Sequence, residues 1–564
     1  MQQKNMMQVD GIPVAIEGER NLLEIISKVG TVMPVFCYHS TLSIYGACRM
    51  CMVEDERGRL MAACSTLPEP GMKIRTNTGR LRRYRRNILE LVLAEHCRDC
   101  TTCDNSGKCK LQSLAAKFGI TEIRFQNSRS EIPKDDSSPC IVRHPGKCIL
   151  CGDCVRECNE VQRVGAIDFA HRGSNVTIST AFDIPLSESV CVGCGQCSAV
   201  CPTGAIIVRD DTQRVWNAVD AADTFTTCEI APAVRVGIAK ELGLPDTENS
   251  MGLLVAALHR MGFDKVYDTC TGADLTVLEE TAEFLKRLES GKNLPLFTSC
   301  CPAWVQFVEK KHPELIDNVS TCKSPMSMFS TIIKEYFKDS LPEGKTKHYH
   351  VALMPCTAKK YESQREELGA ATDAVITTQE LIKMIRESGI VFRDLEPESV
   401  DMPFGSMSGA SLIFGVTGGV TEAVLRRVAN DDSRTTLAEI SYSGVRGMES
   451  VKEASVTYGD KTLNIAVVSG LGNAETLIEK MKKGEAHYDL IEVMACPGGC
   501  ISGAGQPYIS FKYSKKRSDE LYRADRTSTI KRSQDNPMMK ELYDGILKDK
   551  VHQLLHTTYT DKSK

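Results

Sequence analysis

The sequence predicts a multidomain chain of mixed α+β and α/β class, with several small cysteine-rich modules followed by one larger α/β domain. Three observations carry this prediction. The chain has 564 residues, enough for three or four domains of ordinary size. Its 25 cysteines fall in spaced groups, dense up to Cys201 and sparse beyond. After Cys201, helix-like and strand-like apolar patterns alternate. An odd cysteine count without an export signal argues against a disulfide framework and for metal ligation in a reducing compartment, so the chain reads as cytoplasmic. A net charge of −4 gives no sign of a nucleic-acid binder, and no apolar run is long enough to predict a membrane span.

The first module covers residues 1–80. "MQVDGIPVAI" reads as a hairpin turning at Asp10-Gly11, and "NLLEIISKVG" as a short amphipathic helix stopping at Gly30. Cys37, Cys48, Cys51 and Cys64 follow with the spacing C-x10-C-x2-C-x12-C. A hairpin, a helix and a glycine-punctuated cysteine loop suit a ferredoxin-like domain holding a [2Fe–2S] cluster by four thiolates, with a structural zinc site as the alternative. The spacing is not the plant-type one. It resembles the N-terminal domain of the large iron–sulfur subunit of NADH dehydrogenases and related hydrogenases.

The second module, residues 81–125, begins with a basic helical run. Arg80, Arg82, Arg83, Arg85 and Arg86 read as a solvated face, or as a patch steering an acidic electron-transfer partner. His96, Cys100, Cys103 and Cys109 then give H-x3-C-x2-C-x5-C, which fits zinc or a [4Fe–4S] cluster. The segment is similar to the His-ligated cluster domain that follows the [2Fe–2S] domain in the same families, which favours the cluster.

The third module, residues 138–209, carries the strongest local signal. Cys148, Cys151, Cys154 and Cys158 repeat as Cys191, Cys194, Cys197 and Cys201, each run spaced C-x2-C-x2-C-x3-C. This is the bacterial two-cluster ferredoxin pattern, in which the fourth cysteine of each run serves the other cluster. Cys148, Cys151, Cys154 and Cys201 are expected to hold one cube, and Cys158, Cys191, Cys194 and Cys197 the other. Four such clusters form a one-electron wire, and a wire implies a terminus.

Residues 210–564 contain no complete G-x-G-x-x-G fingerprint and no Walker A sequence, so no nucleotide or flavin site is predicted there. Three loops, "TSCCPAW" (298–304), "MPCTAKKYE" (354–362) and "EVMACPGGCISGAGQP" (492–507), each follow a strand-like apolar run. One cysteine of the first loop together with Cys356, Cys496 and Cys500 would supply four thiolates, a set suited to one further cube. Glycines at 498, 499, 503 and 505 would let the backbone approach a bulky inorganic group.

These three loops resemble the signature motifs of [FeFe]-hydrogenases. The likeness extends over the whole chain, whose upstream cluster segments match in order those of the large multi-cluster clostridial type. One departure is Ala504, where many members have glycine. The resemblance implies a β-grasp [2Fe–2S] domain, a small helical His/Cys3 domain, a two-cluster ferredoxin domain, and a two-lobed α/β catalytic domain with its active site between the lobes. It implies a C-terminal small-subunit-like segment over about 515–564. It also implies an H-cluster, a [4Fe–4S] cube joined to a di-iron unit carrying CO, cyanide and an azadithiolate, built by maturation proteins. Cys301, Cys356, Cys496 and Cys500 match its cube ligands, with Cys500 as the bridge to the di-iron unit. Lys359 matches the lysine on a cyanide, and Met354, Met494, Ser324 and Pro325 match pocket residues. Cys300 matches the first proton carrier, followed by Glu280, Ser320, Glu283 and Arg287. Taken alone, Glu280 and Glu283 read as a solvated helix face and the methionines as core.

The activity implied is reversible H2 oxidation, with electrons passing through the accessory clusters to ferredoxin or to a flavin-containing NAD(P)-linked subunit. The eukaryotic assembly factor that resembles this family lacks the relay and the long accessory region, and hydrogen sensors tend to lose the cysteine matched by Cys300. A pure electron-transfer subunit would not need residues 298–507. Cys97, Cys140, Cys228, Cys270 and Cys322 are left over and are expected to be buried small hydrophobes.

Overall fold

A computed structural model describes residues 5–127, 132–245, 250–428, 439–440, 444–458, 461–507 and 511–563. The chain divides into two compact units. The first comprises Met1–Val161, Gly165–Ser189 and Cys197–Ile207; the second comprises Gln162–Val164, Val190–Gln196 and Val208–Lys564. Most of the three cysteine-rich modules thus shares one unit, while the loop carrying Cys191 and Cys194 groups with the large domain.

In the first unit, β1 (Met6–Val9) and β2 (Ile12–Ala15) form the expected hairpin, with Asp10 and Gly11 at φ 52° and 87° in its turn. Together with β3 (Met52–Asp55), β4 (Leu60–Ala62) and β5 (Lys73–Arg75) they make a five-stranded sheet ordered β2–β1–β5–β3–β4. The helix Leu22–Lys28, capped by Asn21, buries Leu22, Ile25 and Ile26 in the same core as Val9, Val53 and Ile74. Farther along lie β6 (Ile141–Arg143), β7 (Asp168–Ala170), β8 (Thr177–Ser179) and β9 (Ile206–Val208), paired β6–β9 and β7–β8.

The basic helix Gly79–Ala94 corrects one expectation. Arg85 is not on a solvated face, being only 5% exposed. It lies four residues from both Leu81 and Leu89 and so shares their buried stripe. Its guanidinium donates to the carbonyls of Met50 (3.2 Å), Met52 (2.7 Å) and Thr76 (2.9 Å). It therefore braces the backbone on both sides of Cys51.

Among the described residues, the second unit contains eight strands: β10 (Thr224–Ile230), β11 (Lys265–Asp268), β12 (Leu296–Phe297), β13 (Lys347–Met354), β14 (Ala374–Thr377), β15 (Val451–Tyr458), β16 (Lys461–Ser469) and β17 (Leu490–Met494). They form two four-stranded sheets, ordered β11–β10–β13–β14 and β12–β17–β16–β15. The first sheet is wholly parallel, and in the second only the edge strand β15 runs antiparallel. Strands β10 and β17 are buried at every residue, as parallel strands covered on both faces must be.

Helix Cys270–Ser290 packs against the helices Pro325–Tyr336 and Gly419–Val428. Gly272 permits the first of these approaches, because a Cβ there would sit 2.1 Å from the Pro325 carbonyl oxygen. Near the chain end, the amide of Lys323 donates to Leu555 and that of Thr557 to Thr321, both at 2.8 Å. Among the described residues no helix is long and apolar enough to cross a membrane.

Candidate active site and metal-binding cysteines

The cavity of the second unit lies where strands end. Ala231 follows β10, Thr269 follows β11, the Cys300–Cys301 pair follows β12, Pro355 and Cys356 follow β13, and Ala495 and Cys496 follow β17; all line one cavity of about 90 Å³. Sites at the carboxyl ends of parallel strands are the rule for open α/β sheets. Here two sheets contribute to one such site. Its wall is almost wholly apolar, with Met326, Phe414 and Met494 among the lining side chains and Lys359 the charged one.

Local chemistry shapes each loop. Pro302 occupies the first turn of the helix Pro302–Lys311, so Cys301 sits at its N-cap in extended conformation. Gly498 and Gly499 adopt φ 85° and 92°, and a Cβ on Gly499 would lie 2.6 Å from the Thr417 amide nitrogen. The wall carries Cys301, Cys356, Cys496 and Cys500 together, although they span two hundred positions of sequence.

The donor set fits a cationic iron–sulfur group. Burial pushes the thiol of Cys356 up to about 12 and raises those of Cys301, Cys496 and Cys500, and charge on neighbouring thiols adds to the rise at Cys356, Cys496 and Cys500. Four apposed thiols that repel one another as thiolates become favourable only around positive charge. The Ala495 amide already donates to Cys301 Sγ at 3.4 Å.

Burial also depresses Lys359, but the carboxylate of Glu362, 2.5 Å away, more than offsets it and holds the ammonium charged. Lys359 also donates to the Cys300 carbonyl at 3.3 Å. Met354, Met494 and Pro325 are on the wall as expected. Ser324 is off it, since its side chain caps the helix Pro325–Tyr336 by accepting from the Ser327 amide at 3.3 Å.

Helix Cys270–Ser290 presents Glu280, Glu283 and Arg287 along one side. Glu280 is fully buried, not solvated, and among the described residues neither carboxylate oxygen meets a donor at full hydrogen-bonding geometry, although the Ser320 hydroxyl and Ser299 amide lie near enough to act on it. Burial pushes it up to about 8, with the charge of Glu283 adding to the rise and the Ser320 hydroxyl and Ser299 amide opposing it. Burial likewise raises the Cys300 thiol, with Glu280 the next contributor. Ser320 donates to Glu283 Oε2 at 3.3 Å, and Glu283 Oε1 pairs with Arg287 at 2.5 Å. The structure thus gathers Cys300, Glu280, Ser320, Glu283 and Arg287 in order from cavity wall to helix end.

In the first unit, Cys148, Cys151, Cys154 and Cys201 line a second, smaller cavity of about 20 Å³. Cys37 and Cys48 are apposed, with the Cys48 amide donating to Cys37 Sγ at 3.2 Å and the Phe36 amide to Cys48 Sγ at 3.4 Å. Hydrogen bonding to Cys48 raises the Cys37 thiol, and hydrogen bonding to Cys64 raises that of Cys51. The buried Nδ1 of His96 has no hydrogen-bonding partner, as a nitrogen reserved for a metal would not, and charge on Cys100 and Cys103 reaches Cys109. Cys158 and Cys197 belong to the first unit, Cys191 and Cys194 to the second.

Within the second unit, the loop bearing Cys191 and Cys194 is held by Lys310 on the Cys191 carbonyl (2.7 Å), Gln306 on Val192 (3.1 Å) and Thr357 on Gly193 (2.8 Å). Thr357 is the neighbour of Cys356, and charge on Cys194 is felt at Cys496. Sequence reasoning missed Thr357, Phe414 and Glu362; of these only Glu362, three residues after Lys359, left a helix-spacing signal. It also missed Lys360, which points away from the cavity to Asp211 (2.6 Å) and Glu380 (2.9 Å). Of the leftover cysteines, Cys140, Cys228, Cys270 and Cys322 are buried. Cys97 is not: it is half-buried, and its thiol donates to Asp99 at 3.5 Å.

Family models match consecutive stretches of the chain. They are a 2Fe-2S iron-sulfur cluster binding domain (4–79), an NADH-ubiquinone oxidoreductase-G iron-sulfur binding region (85–124), a 4Fe-4S dicluster domain (147–205), the C-terminal domain of the iron only hydrogenase large subunit (224–504) and the iron hydrogenase small subunit (511–562). The chain is 40% identical to the NADP-reducing hydrogenase subunit HndD of Solidesulfovibrio fructosivorans over 99% of both chains. It is 34% identical to iron hydrogenase 1 of Clostridium pasteurianum over 91% of this chain and 92% of that one. The solved apo [FeFe]-hydrogenase of Chlamydomonas reinhardtii matches with a TM-score of 0.54 and 37% identity, covering 63% of this chain and all of the other.

Proposed function

This chain belongs to the iron-only hydrogenase family and is an oxidoreductase acting on H2, and from that premise we propose which of its residues hold the clusters, move the proton and pass the electrons. Cys301, Cys356, Cys496 and Cys500 would hold the cube of the H-cluster, and Cys500 is the ligand that would also serve its di-iron unit. The observation that carries this reading is the convergence of four thiols on one apolar cavity. When bound, the H-cluster would supply the Lewis-acid and base chemistry for H2 cleavage.

The chain supplies the rest. Met354 and Met494 exclude water with soft, adaptable side chains, and the Lys359 ammonium, kept charged by Glu362, faces anionic ligand. Cys300 takes up the proton at its thiol and hands it to Glu280. A carboxyl pushed up to about 8 is suited to that task, since it gains and loses a proton near neutral pH. Ser320, whose hydroxyl acts on Glu280 and donates to Glu283, stands between the two carboxyls, and Arg287 fixes the position of Glu283 by their ion pair.

The remaining clusters are assigned one [2Fe–2S] on Cys37, Cys48, Cys51 and Cys64, and one [4Fe–4S] on His96, Cys100, Cys103 and Cys109. Two further cubes are assigned to Cys148, Cys151, Cys154 and Cys201, and to Cys158, Cys191, Cys194 and Cys197. The anchoring of the Cys191–Cys194 loop beside Cys356 supports electron transfer between that cube and the catalytic one. The electron partner is ferredoxin or an NAD(P)-linked subunit. The name of the 40% identical relative, a subunit of an NADP-reducing hydrogenase, favours the second.

Infrared spectroscopy of the matured protein tests the core reading. CO and cyanide bands that shift under H2 are expected, and their absence would sink it. Untagged purification tests the partner, with co-elution of a flavin-containing subunit expected for the complex.

A further inference from the structure

The proposed relay has a hydrogen-bonded branch that its main line does not use. Glu283 Oε2 accepts from Thr321 Oγ1 at 2.9 Å, and the same hydroxyl lies 2.8 Å from His556 Nδ1. Across the ring, His556 Nε2 is 3.1 Å from Glu279 Oε2. The exposed ring of His552 sits edge-on to His556 with centroids 4.6 Å apart. His556 is brought there by the C-terminal segment, whose backbone bridges that of Cys322. Facing this ring and its partners are Glu283 and Cys322 on one side, and Glu279, with Tyr543 and Arg427 acting on it, on the other.

Arg287, at the end of the main line, is a poor outlet. Its guanidinium donates to Glu283 and to the carbonyls of Asn293, Asp317, Asn318 and Val319, and a guanidinium does not release its proton near neutral pH. An imidazole does. We propose that His556 is a second proton outlet of this enzyme, branching from the relay at Glu283 through the Thr321 hydroxyl. The proposal rests on the relay reading given above.

During H2 oxidation, protonated Glu283 gives its proton to Thr321 Oγ1 as the Thr321 O–H proton moves to His556 Nδ1. The Nε2 proton then leaves toward Glu279 and solvent. One proton enters the branch and one leaves it, no electron moves, and exchange of the ring protons with solvent (one lost from Nδ1, one gained at Nε2) restores the starting tautomer. His556 acts through Glu283 and is a positioning and relay residue, not one that touches substrate.

The test uses the matured holoenzyme with excess dye as electron acceptor. Thr321→Val, which keeps the shape and removes the hydroxyl, and His556→Gln should each lower kcat for H2 oxidation by about tenfold, less than the loss of an undivided proton-transfer step because the main line through Glu283 remains. KM for H2 and the infrared bands should not change, the double variant should be no slower than either single one, and imidazole in the buffer should restore His556→Ala. Glu280→Gln serves as the control for the main line. If Thr321→Val and His556→Gln turn over at the wild-type rate while Glu280→Gln is inactive, the branch is overturned and the relay stands. If Glu280→Gln also turns over normally, the relay falls and the branch with it. Should the His556 variants fail to mature, Thr321→Val decides the matter by itself.

Discussion

The two four-cysteine cavities differ in how their walls are assembled. In the first unit, Cys148, Cys151 and Cys154 come from one short run and only Cys201 is distant, and their cavity holds about 20 Å³. In the second unit, the four thiols come from loops at the ends of strands in two sheets, and the space is about 90 Å³. Among the described residues, no carboxyl lines the smaller site. The larger adds a fifth cysteine, Cys300, and a charged lysine, and the buried carboxyl of Glu280 acts on Cys300. A local run suffices for passing electrons, whereas bond chemistry draws on residues from across a fold.

That contrast can be broken most sharply at the ligands. Cys500→Ala should abolish H2 turnover and the CO and cyanide bands, whereas Cys154→Ala should keep the bands and lose dye-independent electron delivery. Equal infrared spectra from both variants would erase the distinction. Next in size is the relay, which the smaller site lacks. Glu280→Gln should lower kcat by about a hundredfold or more with the cluster bands intact, the range expected when a proton carrier is lost.

A smaller effect is expected from crowding the larger wall. Gly499→Ala places a methyl within 2.6 Å of the Thr417 amide nitrogen at a positive φ, so cluster content measured by iron analysis should fall with the accessory clusters still loaded. Full loading would show that the loop yields.

The smallest is a pH effect on stability. The Glu280 carboxyl is raised from 4.5 to about 8, so its protonated form is the one the fold favours. The stability it contributes is present below its ordinary value and is lost as pH rises through about 8. The thermal midpoint of the holoenzyme should therefore fall relative to Glu280→Gln on going from mildly acidic to alkaline pH. A constant difference would mean that Glu280 is solvated.

The same contrast governs what could be read in advance. The Asp10-Gly11 hairpin, the Asn21-capped helix and the strands before Cys356 and Cys496 follow from local periodicity and turn chemistry, and they fold where those signals lie. The arginine helix was misread at Arg85 because the run around it is basic, while burial depends on what Leu81 and Leu89 pack against. Lys359 and Lys360 are adjacent and chemically alike. Only the surrounding fold sends one to the cavity and the other to Asp211 and Glu380.

The sequence by itself determined the short-range features: the cysteine spacings, the strand and helix periods, and the motifs that place the chain in its family. These are set within a dozen residues, where backbone geometry leaves few choices. Tertiary structure alone decided that the catalytic thiols converge, that Glu280 is dry enough to titrate near neutral pH, and that a histidine eight residues from the chain end stands two hydrogen bonds from Glu283. Desolvation and long-range contact belong to the neighbours a residue acquires on folding, and those neighbours come from segments that no local spacing brings together.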